Sequence, residues 1–265
     1  MPTCLRRLAA ALALLSLLAL PPTPARAAGS DLGIVVLHGK QGMAGDRPTA
    51  AFLQALRNAG YAIQAPTMCW SRSRIYDATF PDCLQAIDSA VAALRAAGAR
   101  RIVVAGQSLG GDAAIVYGTQ HPDLAGVIAL APAGQPEQLT RNPHVAQSVA
   151  QARQMVAAGQ GGQRTEFTDM NVGQTFTITT TPTIFLSFLE LGGPADFPAV
   201  LPQLRVPVIW VAGTQDRSQD QAAALFARLP ANKLNRLVQV SAAHLDTPTA
   251  GADAVLDWLK TLPAR

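Results

Sequence analysis

The stretch Arg101-Ile102-Val103-Val104-Ala105-Gly106-Gln107-Ser108-Leu109-Gly110-Gly111-Asp112 sets an apolar, β-branched run directly against a serine flanked by glycines. Residues 102–105 read as a buried strand and residues 112–119 as a helix, so the glycine-rich segment between them must be a tight strand-to-helix turn. A serine at the crest of such a turn is forced into a strained backbone conformation. Small residues are then needed two positions to either side, where strand and helix approach each other. Gly106 and Gly110 meet that need, and Gly111 adds clearance. Gly-x-Ser-x-Gly alone also occurs as a plain turn, so the elements on either side decide its meaning.

Outward from this turn, short β-branched runs alternate with longer helical patterns from Gly33 onward, the signature of a parallel sheet covered on both faces. Six strands are expected, at 34–37, 62–64, 102–105, 127–130, 208–211 and 237–240, most of them continuous apolar runs as buried parallel strands should be. Leu84, Ile87, Val91 and Leu94 recur at helical spacing after Pro81, and Gly98 closes that segment. Further helical patterns cover 49–58, 112–119, 221–228 and 252–262. The expected fold class is α/β with one domain over 28–265. A chain of 265 residues with 49% hydrophobic and 14% charged residues suits a single large core.

From Ala133 to about Leu204 the strand-helix rhythm stops for longer than an ordinary connection allows. An inserted lid over about 133–204 is expected, with a helix over 145–158, a glycine-rich break at 159–162 and a β-prone stretch over 175–183. Phe176, Ile178, Ile184, Phe185, Phe188 and Leu189 give this insertion apolar surface. That surface reads either as a wall for an apolar substrate group or as glue to the rest of the domain.

The turn around Ser108 and the residues that follow resemble the α/β-hydrolase superfamily, and the resemblance runs from Gly33 to Leu262. It implies an α/β-hydrolase fold, with Ser108 as nucleophile and the family's order of serine, acid, histidine. Asp216, in Ala212-Gly213-Thr214-Gln215-Asp216 after the strand at 208–211, matches the acid. His244, in Ser241-Ala242-Ala243-His244 after the strand at 237–240, matches the base. The chemistry needs all three, because a serine hydroxyl is a poor nucleophile until a base takes its proton and a carboxylate holds the imidazole in the right tautomer. Asp220, one turn onward, is the rival acid and is expected in the next helix as a solvated charge. Leu37-His38-Gly39-Lys40 resembles the family's His-Gly turn, which implies an oxyanion hole built from the backbone amides of Lys40 and Leu109. Gln107 stands where a histidine is frequent before the nucleophile. The short run before Gly33 leaves no room for the leading strands of larger members, so a trimmed sheet is expected.

Met68-Cys69-Trp70-Ser71-Arg72-Ser73-Arg74 follows the second strand, at the end of the sheet where open α/β folds place ligands. Gln41, Gln107, Trp70 and Arg72 are therefore candidates for a substrate pocket, although Trp70 also reads as a packing residue and the arginines as solvated charges. No Cys/His/Asp cluster has metal spacing, and no glycine-rich phosphate loop follows a strand, so neither a metal nor a cofactor is expected.

Arg6-Arg7, an apolar run from Leu8 to Leu20 and Ala25-Arg26-Ala27 have the three-part layout of a secretory signal over 1–27. The apolar run is shorter than the roughly 20 residues needed to span a bilayer. Cleavage after Ala27 removes three arginines, lowering Lys+Arg from 21 to 18 against 17 acids. The pI of 9.3 is then largely a property of the signal, and no nucleic-acid or membrane partner is expected. Export to the periplasm or beyond leaves Cys69 and Cys83 as a candidate disulfide, the other reading being two separate buried thiols.

The function expected is an exported esterase- or lipase-like serine hydrolase acting on a small-molecule ester. Thioester or amide cleavage and acyl transfer would use the same groups. A non-catalytic binding protein of this fold is the alternative from another class.

Overall fold

The computed structural model describes residues 31–264, so the signal expected at 1–27 lies outside the described residues. Six strands, β1 (Leu32–Leu37), β2 (Ala62–Gln64), β3 (Arg101–Gln107), β4 (Gly126–Leu130), β7 (Val208–Gly213) and β8 (Arg236–Val240), form one parallel sheet in the order β2-β1-β3-β4-β7-β8. All six lie where the apolar runs predicted them. Successive side chains of a strand face opposite sides of the sheet. Ile34, Val36, Val103, Ala105, Ile128 and Ile209 accordingly join one apolar layer. Val35, Leu37, Val104, Val127, Ala129 and Trp210 join the other.

The first layer is closed by α1 (Arg47–Asn58) and α10 (Ala252–Thr261), through Phe52, Leu56, Val255 and Trp258. The second is closed by α2 (Phe80–Ala96) and α3 (Leu109–Gln120), through Leu84, Ile87, Ala113 and Val116. Thr79 caps α2 by accepting from the Asp82 amide, and Gly98, at φ 92°, turns the chain out of it. The chain runs outward from β1 to β2 and then returns past β1 to β3, so the connections part on either side of the β1–β3 junction. Open α/β sheets form their ligand crevice at the carboxyl ends of such strands.

Between β4 and β7 the chain folds into α4 (Pro136–Leu139), α5 (Pro143–Ala157), the hairpin β5 (Thr165–Asn171) and β6 (Gln174–Thr180), α6 (Pro182–Leu189) and α7 (Phe197–Val200). Only β6 and α5 of these were expected. Thr181 caps α6 with Pro182 in its first turn, and Phe185 stacks on Phe167 of β5 at 4.6 Å, so the apolar residues of this segment serve largely to seal it to itself and to α2. The helix expected over 221–228 shortens to α8 (Ala222–Phe226), and α9 (Thr247–Ala250) precedes α10. Cys69 and Cys83 form a disulfide that ties the loop after β2 to the first turns of α2, with Cα atoms 5.6 Å apart. Among the described residues no helix is long and apolar enough to cross a membrane.

Candidate active site

Ser108 stands between the last residue of β3 and the first of α3 with φ 56° and ψ −126°, a conformation that L-residues rarely adopt. The glycines around it are required by contact. A Cβ on Gly106 would come within 1.9 Å of the Gly110 carbonyl oxygen, and one on Gly110 within 2.7 Å of the Leu37 and His38 carbonyl oxygens. The elbow therefore packs directly against the end of β1, bringing the His38-Gly39-Lys40 turn beside the serine.

That turn is held from inside. The Met68 amide donates to His38 Nε2 (3.0 Å), which makes Nε2 an acceptor and leaves the ring proton on Nδ1, 2.8 Å from the Gly39 carbonyl oxygen. Burial, partly opposed by the Gly39 carbonyl, lowers the His38 pKa, in keeping with this neutral ring. Trp70 Nε1 donates to the His38 carbonyl (2.9 Å). Among the described residues neither the Lys40 nor the Leu109 backbone amide has an acceptor within the protein.

Asp216 follows β7 and His244 follows β8, and the two strands are neighbours, so residues 28 apart in sequence meet. Asp216 Oδ2 lies 2.6 Å from His244 Nδ1. Oδ1 accepts from the Ser218 hydroxyl (2.7 Å) and amide (3.0 Å), and the same hydroxyl lies 3.4 Å from His244 Nδ1. Burial raises the Asp216 pKa, but the hydrogen bonds from His244 and Ser218 outweigh it and hold the carboxyl below its ordinary value. With Nδ1 turned to the carboxylate, His244 Nε2 is the ring nitrogen left to take a proton. The Ser108 hydroxyl has one partner among the described residues, the Ala133 carbonyl oxygen at 3.4 Å. Asp220 is exposed at the end of a short 3₁₀ turn, outside any helix.

Ser108, Asp216 and His244 share a cavity of about 380 Å³ whose other walls include Ala133, Leu139, Met170 and Val172. Gln107 borders a smaller recess that Ser108 and His244 also line. The other pocket candidates sit elsewhere. Trp70 is 1% exposed and stacks on Phe80, and Arg72 forms an exposed two-pronged pair with Asp46. Gln41 is exposed beside the cavity and accepts from Asn171. The wall made by Met170, Asn171, Val172 and Gly173 was not anticipated. Its signal was the Asn171-Val172-Gly173-Gln174 segment, a glycine-containing turn between two β-prone runs. Among the described residues no His, Cys, Asp and Glu are grouped to hold a metal ion.

Residues 34–255 match the Alpha/beta hydrolase family. Among solved structures, the chain is similar to a Paleococcus ferrophilus monoacylglycerol lipase, with 17% identity, coverage of 87% of this chain and 94% of that one, and a TM-score of 0.65. It is also similar to a structure reported for the metagenome-derived lipolytic enzymes LipS and LipT (16%, 88% and 94%, TM-score 0.62). A third similar structure is a thioesterase domain from the curacin biosynthetic pathway (16%, 87% and 92%, TM-score 0.56). At these identities the structural likeness speaks for the fold. Curated protein sequences give no significant match. The match over most of the chain, on the sheet and elbow described above, shows that this protein belongs to the alpha/beta hydrolase family.

Proposed function

We propose that this protein is an exported serine hydrolase that cleaves a carboxylic ester through an acyl-enzyme. The observation that carries the reading is the hydrogen-bonded His244–Asp216 pair opening on the same cavity as the strained Ser108. Ser108 Oγ swings from the Ala133 carbonyl to His244 Nε2, gives up its proton and attacks the ester carbonyl. Such bonds commonly tighten only once substrate is bound. Negative charge then develops on the carbonyl oxygen, where the unpaired Lys40 and Leu109 amides receive it. His244 returns the proton to the departing alcohol, and water repeats the cycle to release the acid.

Leu139, Met170, Val172 and Ala133 make the larger cavity predominantly apolar, which favours an uncharged acyl group. Export is supported by the layout of residues 1–27 and by the Cys69–Cys83 disulfide, which persists in oxidising compartments.

The test is labelling of the purified mature protein by a fluorophosphonate, with Ser108→Ala beside it. Labelling that vanishes in the variant is expected, and equal labelling of both proteins, or none of the parent, overturns the reading. Esters and thioesters of matched acyl length then separate ester cleavage from thioester cleavage.

A further inference from the structure

Two consecutive peptide units run past Ser108. The first carries the Gly39 carbonyl and the Lys40 amide, and the second carries the Lys40 carbonyl and the Gln41 amide. The Gly39 oxygen faces His38 Nδ1 (2.8 Å) and accepts from the Gly42 amide (3.0 Å). The Gln41 amide donates to the Trp70 carbonyl (2.9 Å). The Lys40 oxygen accepts from Asn171 Nδ2 (3.1 Å). A trans peptide holds its carbonyl and amide in one plane, pointing in opposite directions, so the contacts on the Gly39 oxygen set the direction of the Lys40 N–H. The contacts on the second unit limit the rotation at Lys40 that would let the first plane turn.

Three of the contacts come from the core of the domain, and one, Asn171, comes from the inserted hairpin. The hairpin is anchored at the same residue. Lys40 Nζ donates to both oxygens of Asp169 (2.9 and 2.8 Å) and to the Met170 carbonyl (3.0 Å). Tyr76 donates to Asp169 Oδ2 (2.8 Å), and Asp169 is fully buried. A buried ion pair is a poor means of stabilising a fold, since an apolar pair of similar volume often does as well or better. Here it fixes the tip of β5 against the side chain of a residue whose backbone amide the proposed oxyanion hole uses. Gln41, next in the chain, holds a left-handed φ of 57°, a conformation that persists where the surroundings over-determine it.

We infer that the β5–β6 hairpin positions the oxyanion hole, with Asn171 as the positioning residue and the Lys40–Asp169 pair holding it in place. The inference rests on the serine-hydrolase reading. Without Asn171 the Lys40 carbonyl loses its tether, the second peptide plane rocks about the Gln41–Trp70 contact, the torsions at Lys40 pass that motion to the first plane, and the Lys40 amide is less often aimed at the developing charge.

The test uses the full mature chain with Asn171→Ala and Asn171→Asp, the second keeping the shape while removing the donor. On an ester that the parent turns over, kcat should fall about 10- to 100-fold in both, less than outright loss of an oxyanion donor, while KM stays within about twofold. Affinity for a trifluoromethyl ketone, which captures Ser108 as a tetrahedral oxyanion, should weaken in parallel with kcat/KM. Asn171 is only half-buried, so melting temperatures should match the parent. Unchanged kcat in both variants, a loss confined to KM, or a loss matched by partial unfolding overturns the inference. A parent that labels with fluorophosphonate alongside indifferent variants sinks the hairpin's role alone, and an unlabelled parent sinks both readings.

Discussion

His244 Nδ1 lies 2.6 Å from Asp216 Oδ2, and Ser218 holds the other oxygen of that carboxylate through both its hydroxyl and its amide. The carboxylate is thus oriented before it orients the ring. Asp216→Asn should lower kcat by about 10⁴-fold through the wrong imidazole tautomer. Ser218→Ala leaves the His244 contact intact and should cost only several-fold. Steady-state kinetics on one ester checks both. Because the Asp216 pKa is lowered, its contribution to stability is present above 3.8 and is lost only as pH falls through the lower folded value.

His38 accepts the Met68 amide at Nε2, so its neutral form is the one the fold needs. Burial depresses its folded pKa below 6.5. The unfolded chain therefore takes up a proton first on acidification, and stability falls as pH drops below about 6.5. Thermal unfolding followed from pH about 8 down to about 5 should show this loss in the parent and a flatter curve in His38→Asn.

Asp112, one turn beyond Ser108, is fully buried, and neither carboxyl oxygen has a hydrogen-bond donor. Burial pushes its pKa well above the ordinary carboxylate value, with the Lys40 charge pulling the other way. The cost to the fold appears as pH rises above 3.8, where the unfolded chain ionises and the folded one resists. Asp112→Asn should gain about 1–3 kcal/mol at neutral pH, with the gain shrinking below pH about 4. Denaturant melts at both pH values decide it.

Val172 and Gly173 form the two-residue turn of the β5–β6 hairpin, both at positive φ (46° and 79°). A β-branched side chain is strained there, and Asn-Gly is the favoured pair for such a turn. Val172 is nonetheless 59% exposed and borders the cavity around Ser108. Val172→Asn should stabilise the protein by about 1 kcal/mol while raising KM for esters with apolar acyl groups. A melting curve and an acyl-length series measure the two effects.

Sequence reading located the central strands because each is a continuous apolar run buried on both sides. It located Ser108, Asp216 and His244 because each falls within a few residues of a strand's carboxyl end, where strand order alone brings the ends together. The hairpin was only half legible. In β5, Thr-Glu-Phe-Thr-Asp-Met-Asn, the inward alternation passes through Phe167 and Asp169, and a carboxylate at a core position hides the pattern. Its compensation comes from Lys40, 129 residues away, a pairing that no local period encodes. Trp70 was ambiguous for a related reason, since an indole suits a pocket wall as well as a core, and only the position of the His38 carbonyl settles which.

The ion pair between Lys40 and Asp169 has a consequence for attempts to redesign the protein. In a scaffold whose cap is independent of its reaction centre, loops can be exchanged to change what is accepted while the rate is preserved. On the proposed reading, the segment that lines the cavity beside Ser108 would also brace the backbone that meets the oxyanion. Transplanting a foreign cap onto this core would strand a buried lysine and release the turn beside Ser108 in one step. Selectivity and turnover are therefore expected to evolve as a single trait in this protein, with successful swaps carrying a change at position 40.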